Sequence, residues 1–164
     1  MSFDEKSKLI VFPLHYEPEA VVSYFSPYSN QLDLVNQIFE RLPPDCLLVL
    51  KEHPSQPGAT RLNKWKDLVK CERVRVVKGM EKLSDLLAYE SVVVSIGSKA
   101  ALEASLLGRR AYVFGKPHYR DIPGVEYVSD ISKLNIDWGR RDVTQTDIWA
   151  VSYTHLTLPT IYSV

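Results

Sequence analysis

The chain alternates between short, continuous apolar runs and longer stretches in which apolar residues recur at helical spacing. The run Val92–Val94 is β-branched throughout, as expected of a strand that is buried on both faces of a sheet. Leu32, Val35 and Ile38 instead share one face of a helix. The pattern predicts strands at Leu9–Leu14, Leu47–Leu50, Val74–Val77, Val92–Ser95 and Ala111–Phe114, with a further short strand at Glu126–Val128.

Helices are predicted between these strands. The first covers Leu32–Phe39 and stops before Pro43 and Pro44. Strands that alternate with helices at this spacing indicate an α/β fold with a doubly wound, Rossmann-like parallel sheet. The other predicted helices are Arg61–Cys71 with Leu62, Trp65, Leu68 and Val69 inward, Leu83–Leu87 with Ser84 as N-cap, Ala100–Leu107 ended by Gly108, and a short helix within Ser129–Asn135.

Composition narrows the class of protein without naming a function. The chain has 164 residues, 45% hydrophobic and 24% charged, with a formal net charge of zero, which is ordinary for one globular domain. Neither a nucleic-acid partner nor a transmembrane segment is expected. Cys46 and Cys71 lack metal or redox spacing, so they are expected to be reduced, mostly buried thiols in a cytoplasmic protein.

The last residues do not continue the pattern. Residues 151–164 read VSYTHLTLPTIYSV, without a charged residue, and resemble translated adapter or vector sequence. We therefore predict a Rossmann-like domain over residues 1–150 and a non-native tail over 151–164. The tail is expected to add no strand to the sheet, so its deletion should leave the melting temperature nearly unchanged.

The best candidate for a ligand site is the unit from Val92 to Gly115. A strand is followed by a turn of Ser95, Gly97 and Ser98 and then by a helix. The amides and the positive end of such a helix attract anions, and the serine hydroxyls are further donors. The turn is therefore predicted to bind phosphate, although Ser98 could equally serve only as a helix cap.

Two further residues lie where they could complete a nucleotide site. His53 precedes Pro54 directly after the second strand, and its imidazole could reach a phosphate or could hydrogen-bond only to the backbone. Glu103 stands on a helix made otherwise of Ala and Leu. It could accept two ribose hydroxyls, as acidic residues do in nucleotide folds. It could also be an exposed residue or a partner of Arg109 or Arg110.

Other polar residues are weaker candidates. Glu17 and Glu19 flank a proline in the loop after the first strand, and such a pair can act in acid–base catalysis if burial raises one pKa. Glu19 is therefore a speculative acid–base or acceptor-side residue. His15 and His118 also lie in polar loops. None of these residues has metal-ligand spacing, so neither a metal nor another cofactor is expected.

Three segments resemble known enzymes. EASLLG followed by RRAYVFG, with Glu103 and Gly108, resembles the E-A-x-x-x-G-x-P-V segment in the nucleotide-sugar half of GT-B glycosyltransferases, with Arg110 in place of the proline. KEHPS resembles the K-x-H-P motif of bacterial capsule polysaccharide biosynthesis proteins, including the Kdo transferases, and the His-Pro motif of bacterial sialyltransferases. FPLHYEPEA resembles the start of the same half. The resemblance covers about Leu9 to Val128.

The resemblance implies the C-terminal, donor-binding half of a GT-B glycosyltransferase in capsule or surface polysaccharide biosynthesis. It implies that His53 approaches the nucleotide phosphate and that Glu103 binds the donor ribose. The expected ligand is a CMP- or UDP-sugar donor, and a polysaccharide or lipid-linked acceptor would be bound by an N-terminal domain that this chain lacks. The chain alone should therefore be inactive.

Other interpretations of the same residues stay open. A nucleotide-sugar 2-epimerase shares the GT-B fold and needs no acceptor, and a Rossmann-like interaction module could have lost the chemistry. Peripheral attachment to the inner membrane face is open beside a purely cytoplasmic location. The sugar, the acceptor and the stereochemical outcome are not encoded in these motifs.

Overall fold

The computed structural model describes residues 3–15, 28 and 30–156. Within them, six strands form one parallel sheet in the order β3-β2-β1-β4-β5-β6. This confirms the predicted α/β, doubly wound sheet. The strands are β1 (Lys8–Pro13), β2 (Cys46–Lys51), β3 (Val74–Val77), β4 (Glu90–Ser95), β5 (Ala111–Val113) and β6 (Val125–Tyr127), and the α-helices are α1 (Gln31–Glu40), α2 (Leu83–Leu87), α3 (Ala100–Leu106) and α4 (Gln145–Leu156).

The sheet has an apolar layer on each face. Because successive side chains of a strand point to opposite faces, neighbours such as Ile10 and Val11 enter different layers. Helix α1 covers the first layer, and helices α2 and α3 cover the second. The central strands are therefore buried on both sides, which explains why their sequences show continuous rather than alternating hydrophobicity.

The segment after β2 differs from its predicted helix. Instead of an α-helix over Arg61–Cys71, it forms three short 3-10 helices at Ala59–Arg61, Asn63–Trp65 and Leu68–Lys70. Leu62 takes an extended conformation between the first two, and its side chain is 52% exposed rather than inward. Trp65 is buried as predicted. Burial of the indole in the first apolar layer outweighs the helical pattern, because helix propensity is a weak preference that packing overrides.

Smaller details of the helices also differ from expectation. Helix α2 begins after Lys82 without a side-chain cap, so Ser84 is not its N-cap. The short helix predicted near residue 130 is a 3-10 turn, Ile131–Lys133. Both cysteines are free thiols, with Cys46 buried and Cys71 half-buried.

Helix α4 crosses the boundary proposed at residue 150, since it runs from Gln145 to Leu156. Its start is a reciprocal cap: Asp147 Oδ2 accepts from Thr144 N at 2.8 Å, and Asp147 N donates to Thr144 Oγ1 at 3.3 Å. Arg141 pairs with the same carboxylate at 2.8 Å. The anchoring contacts thus precede the predicted tail, whose independence from the fold stays a prediction.

Candidate functional site

Two of the predicted loops lie at one edge of the sheet, on either side of β1. Strand β1 pairs with β2 on one side and with β4 on the other, and all three run parallel. Their carboxyl ends therefore share an edge, and the order of the strands reverses there, which is where such folds bind ligands. From the spacing between strands, the ends of β2 and β4 are about 10 Å apart.

His53 lies in the turn after β2. Its Nδ1 accepts a hydrogen bond from Ser55 N at 3.1 Å, and its carbonyl accepts from Gln56 N at 3.0 Å. An acceptor at Nδ1 means that the neutral ring carries its proton on Nε2, which makes Nε2 a donor. The turn thus selects the tautomer that an oxygen-rich ligand such as phosphate requires.

The residue before His53 supports this turn from one side. Glu52 is buried, and its Oε1 accepts from Thr60 Oγ1 at 2.8 Å and from Thr60 N at 3.4 Å. Burial acts to raise the pKa of Glu52, but hydrogen bonds from Gly58 and Thr60 outweigh it and leave the pKa lowered. Glu52 is therefore an ionised structural group that ties the end of β2 to the segment that follows.

Gly79 and Lys51 support the same turn from the other side. A Cβ on Gly79 would lie 2.6 Å from Pro54 N and 2.7 Å from the His53 carbonyl carbon, so only glycine allows this approach. Lys51 Nζ donates to Gly79 O at 2.7 Å. The loop after β3 is thereby locked against the His-Pro turn.

The turn after β4 is built from small residues. Ser95 is fully buried, and its hydroxyl accepts from Ser98 N at 3.3 Å, while Ser98 Oγ accepts from Ala100 N at 3.2 Å. Ser98 thus satisfies the first amide of α3. The N-cap position of this helix is nevertheless Lys99, which forms no side-chain cap hydrogen bond, so Ser98 is not its N-cap. Each hydroxyl that accepts a hydrogen bond still has its own proton to donate. Gly97 and Ser98 are half-buried at the edge, whereas Ser95 lies beneath the turn.

Glu103 stands in the first turn of α3 with its side chain exposed. The arginines proposed as its partners are engaged elsewhere: Arg109 Nε donates to Leu87 O at 3.0 Å, and Arg110 pairs with Asp137 at 2.7 Å. Burial lowers the pKa of Lys51, and the carboxylate of Glu103 acts on that pKa in the opposite direction.

His15 and His118 occupy different surroundings. His15 is buried after β1. Its backbone N–H donates to Gln31 Oε1 at 3.0 Å, and its backbone carbonyl accepts from Gln31 Nε2 at 3.3 Å. It lines a cavity of about 230 Å³ together with Lys64 and the buried wall of Trp65. His118 is exposed, with its ring edge-on to Tyr119 at 5.1 Å.

Three further predictions concerned the pair Glu17 and Glu19, a metal site and a transmembrane segment. Glu17 and Glu19 lie outside the described residues. Across residues 3–15 and 30–150, no three His, Cys, Asp or Glu side chains cluster as metal ligands would. No helix in the described part of the chain is long and apolar enough to span a bilayer.

Lys51 and Gly79 belong to this edge but were not among the predicted site residues. Lys51 stands in the quoted KEHPS motif, so the motif itself was the available signal. Its bond to Gly79 joins residues 28 positions apart, and spacing along the chain gives no indication of that contact.

Comparison with known proteins decides the family. The model of the family described as capsule polysaccharide biosynthesis protein matches residues 1–158. The chain belongs to this family. No curated protein sequence matches this capsule polysaccharide biosynthesis protein significantly.

Solved structures agree with the fold. The beta Kdo 2,7 transferase of Thermosulfurimonas dismutans KpsC is similar with a TM-score of 0.58 and 24% identity, over 88% of this chain and 44% of that one. The beta Kdo 2,4 transferase of the same KpsC gives 0.55 and 16%, over 90% and 44%. The capsule biosynthesis chain thus spans less than half the length of both neighbours.

Proposed function

We propose that this chain is the nucleotide-sugar-binding half of a GT-B glycosyltransferase that builds capsule or surface polysaccharide. The observation that carries the proposal is the placement of the His53 turn and the Gly97–Ser98 turn on either side of β1, at the point where the strand order reverses. Membership of the capsule family and the fold shared with two Kdo transferases support it.

The proposed roles follow from the chemistry of each group. The Nε2–H of His53, the amide of Gly97 and the hydroxyl of Ser98 bind phosphate and stabilise the charge that the leaving nucleotide develops. Glu103 accepts hydrogen bonds from the ribose hydroxyls. Glu19 stays an acid–base candidate on sequence grounds alone. The donor is a CMP- or UDP-sugar, and the acceptor is a polysaccharide or a lipid-linked sugar.

The experiment is titration calorimetry of the 164-residue chain with CMP, UDP, their nucleosides and inorganic phosphate. His53→Ala should weaken nucleotide binding and leave nucleoside binding nearly unchanged. Glu103→Gln should weaken nucleotide binding more than phosphate binding. Each loss should be about 1–3 kcal/mol, the cost of removing a charged hydrogen-bond partner.

The matched control is Glu126→Gln, which removes an exposed carboxylate on β6. It should bind nucleotides like the parent. If the parent binds neither CMP nor UDP, or if His53→Ala and Glu103→Gln bind as the parent does, the proposed function is wrong.

The same proposal predicts no turnover by the chain alone. GT-B chemistry takes place in a cleft between two domains, and this chain spans 44% of each transferase that it resembles. Transfer of a labelled sugar by the purified chain would contradict the assignment of this chain as the donor half only.

A further inference from the structure

The cavity of about 230 Å³ that His15 lines adjoins the His53 turn. Gln56, Pro57 and Ala59 form part of its wall, and Gln56 N donates to the His53 carbonyl at 3.0 Å. His15 follows the end of β1 by two residues. The cavity therefore lies at the same edge of the sheet as the proposed phosphate site, and a hydrogen bond joins its wall to that site.

Contacts within the fold hold the wall of the cavity in place. The side-chain amide of Gln31 bonds to the backbone N–H and the backbone carbonyl of His15, at 3.0 Å and 3.3 Å. Next to the wall segment, Thr60 Oγ1 donates to the buried carboxylate of Glu52 at 2.8 Å. Trp65 is packed in the first apolar layer. The cavity is therefore formed in advance, as is usual for small-molecule sites.

The cavity and Glu103 lie on opposite faces of the sheet. Leu14 and Trp65 line the cavity and belong to the first apolar layer, which α1 covers. Glu103 stands on α3, which covers the second layer. In a nucleotide sugar, the phosphate lies between the ribose and the transferred sugar. With the phosphate at the edge and the ribose on the α3 side, the transferred sugar falls on the side of the cavity.

We propose that this cavity binds the transferred sugar of the donor as a single ring; this inference rests on the proposed function. Pockets that enclose drug-sized ligands measure about 300–1,000 Å³, and this cavity is smaller. It therefore has room for one sugar ring but not for a whole nucleotide.

The lining of the cavity matches the surface of a sugar. A sugar ring has a face of C–H groups and a rim of hydroxyls, so its site needs both apolar and polar surface. Leu14, Leu62 and Trp65 supply the apolar part of the lining. Gln56 and Lys64 add an amide and an ammonium group, which can hydrogen-bond to hydroxyls.

The experiment compares each nucleotide with its sugar conjugates by titration calorimetry of the 164-residue chain. The pairs are CMP with CMP-N-acetylneuraminate, and UDP with UDP-glucose and UDP-N-acetylglucosamine. At least one conjugate should bind about tenfold more tightly than its nucleotide. Ala59→Phe adds bulk to the lining and should lower this preference to less than about twofold, while the affinity for the free nucleotide stays as in the parent.

Leu62→Ala is a second test, which replaces Ala59→Phe if urea denaturation shows that the latter does not fold. The side chain of Leu62 is 52% exposed, so its truncation should cost little stability. It should lower the preference for the conjugate about threefold. The matched control is Leu107→Ala, which truncates a leucine that is 44% exposed at the end of α3 and should keep the full preference.

The outcomes separate this inference from the proposed function. If the parent binds CMP or UDP but no conjugate more tightly, or if Ala59→Phe and Leu62→Ala keep the preference of the parent, only the inference is wrong. If Ala59→Phe weakens the free nucleotide as much as its conjugate, the cavity holds part of the nucleotide, which also overturns the inference. If the parent binds neither CMP nor UDP, the proposed function and this inference are both wrong.

Discussion

The turns after β2 and β4 serve the same edge of the sheet but are stabilised differently. In both, a glycine of a neighbouring loop approaches the turn too closely for any side chain: Gly79 against His53 and Pro54, and Gly115 against Ile96, whose oxygen would lie 2.4 Å from an added Cβ. The turn after β2 also depends on the ionisable groups Lys51 and Glu52. The turn after β4 depends on hydroxyls and amides alone.

The difference indicates a division of work between the two turns. Charged side chains hold the His53 turn on both faces of β2, so its geometry depends on the protonation of its supports. Neutral hydrogen bonds hold the Ser98 turn, so its geometry should not change with pH. Both turns therefore require a glycine at the point of close approach, and only the turn after β2 also requires charged side chains.

The largest effect should come from the requirement that both turns share. Gly79→Ala places a methyl group 2.6 Å from Pro54 N, and the backbone must shift to accept it. We expect a loss of about 3 kcal/mol in the free energy of unfolding, measured by urea denaturation, because overpacking against backbone cannot be relieved by a rotamer change.

Gly139→Ala is the matched control for this substitution. Its Cβ would meet only the side chain of Asp137, at 3.1 Å. The change should be within about 0.5 kcal/mol, as at other exposed positions. Equal losses at both glycines would show that the close approach of Gly79 to the turn does not matter.

A smaller effect, with a dependence on pH, is expected at Glu52. Replacement of this buried carboxylate by Glu52→Gln weakens the hydrogen bonds with Thr60 and should cost about 2 kcal/mol at neutral pH. The pKa of Glu52 is lowered in the folded state from its ordinary 4.5. Its contribution is therefore present above that value and is lost as the pH falls through the folded pKa.

Unfolding followed from neutral pH to about pH 3 tests this sign. The parent should lose stability more steeply than Glu52→Gln, so that the two curves converge in acid. Glu126→Gln, at an exposed site, should keep the slope of the parent. If the free energy of unfolding depends on pH in the same way for the parent and for Glu52→Gln, the charge of Glu52 does not stabilise the turn after β2.

The sequence was a good guide to the strands because their pattern is local. Val92, Val93 and Val94 form a strand wherever both faces are covered, and the order of such strands with helices leaves few possible topologies. The segment after β2 shows where this reasoning stops. Leu62 and Trp65 fit one face of an α-helix, but burial of the indole favours the short 3-10 helices that the segment forms instead.

The same limit applies to the candidate site. Motifs indicated His53, Ser98 and Glu103 because each stands in a recognisable stretch, and the topology then brings their loops to one edge. The contacts that hold the loops of those residues in place join positions that are far apart in the sequence. Lys51 with Gly79, and Gly115 with Ile96, depend on the packed sheet and could not be predicted from composition or spacing.

The smallest expected effect separates the hydroxyls of β4. Ser95 and Ser91 are both fully buried, but only the Ser95 hydroxyl has a partner among the described residues, the amide of Ser98 at 3.3 Å. Ser95→Ala should cost about 1 kcal/mol at every pH, because a neutral hydrogen bond is lost. Ser91→Ala should be neutral or slightly stabilising, since it removes a buried hydroxyl without a partner. Urea unfolding at neutral and acid pH measures both, and a loss for Ser95→Ala that shrinks in acid would show that the second turn also depends on charge.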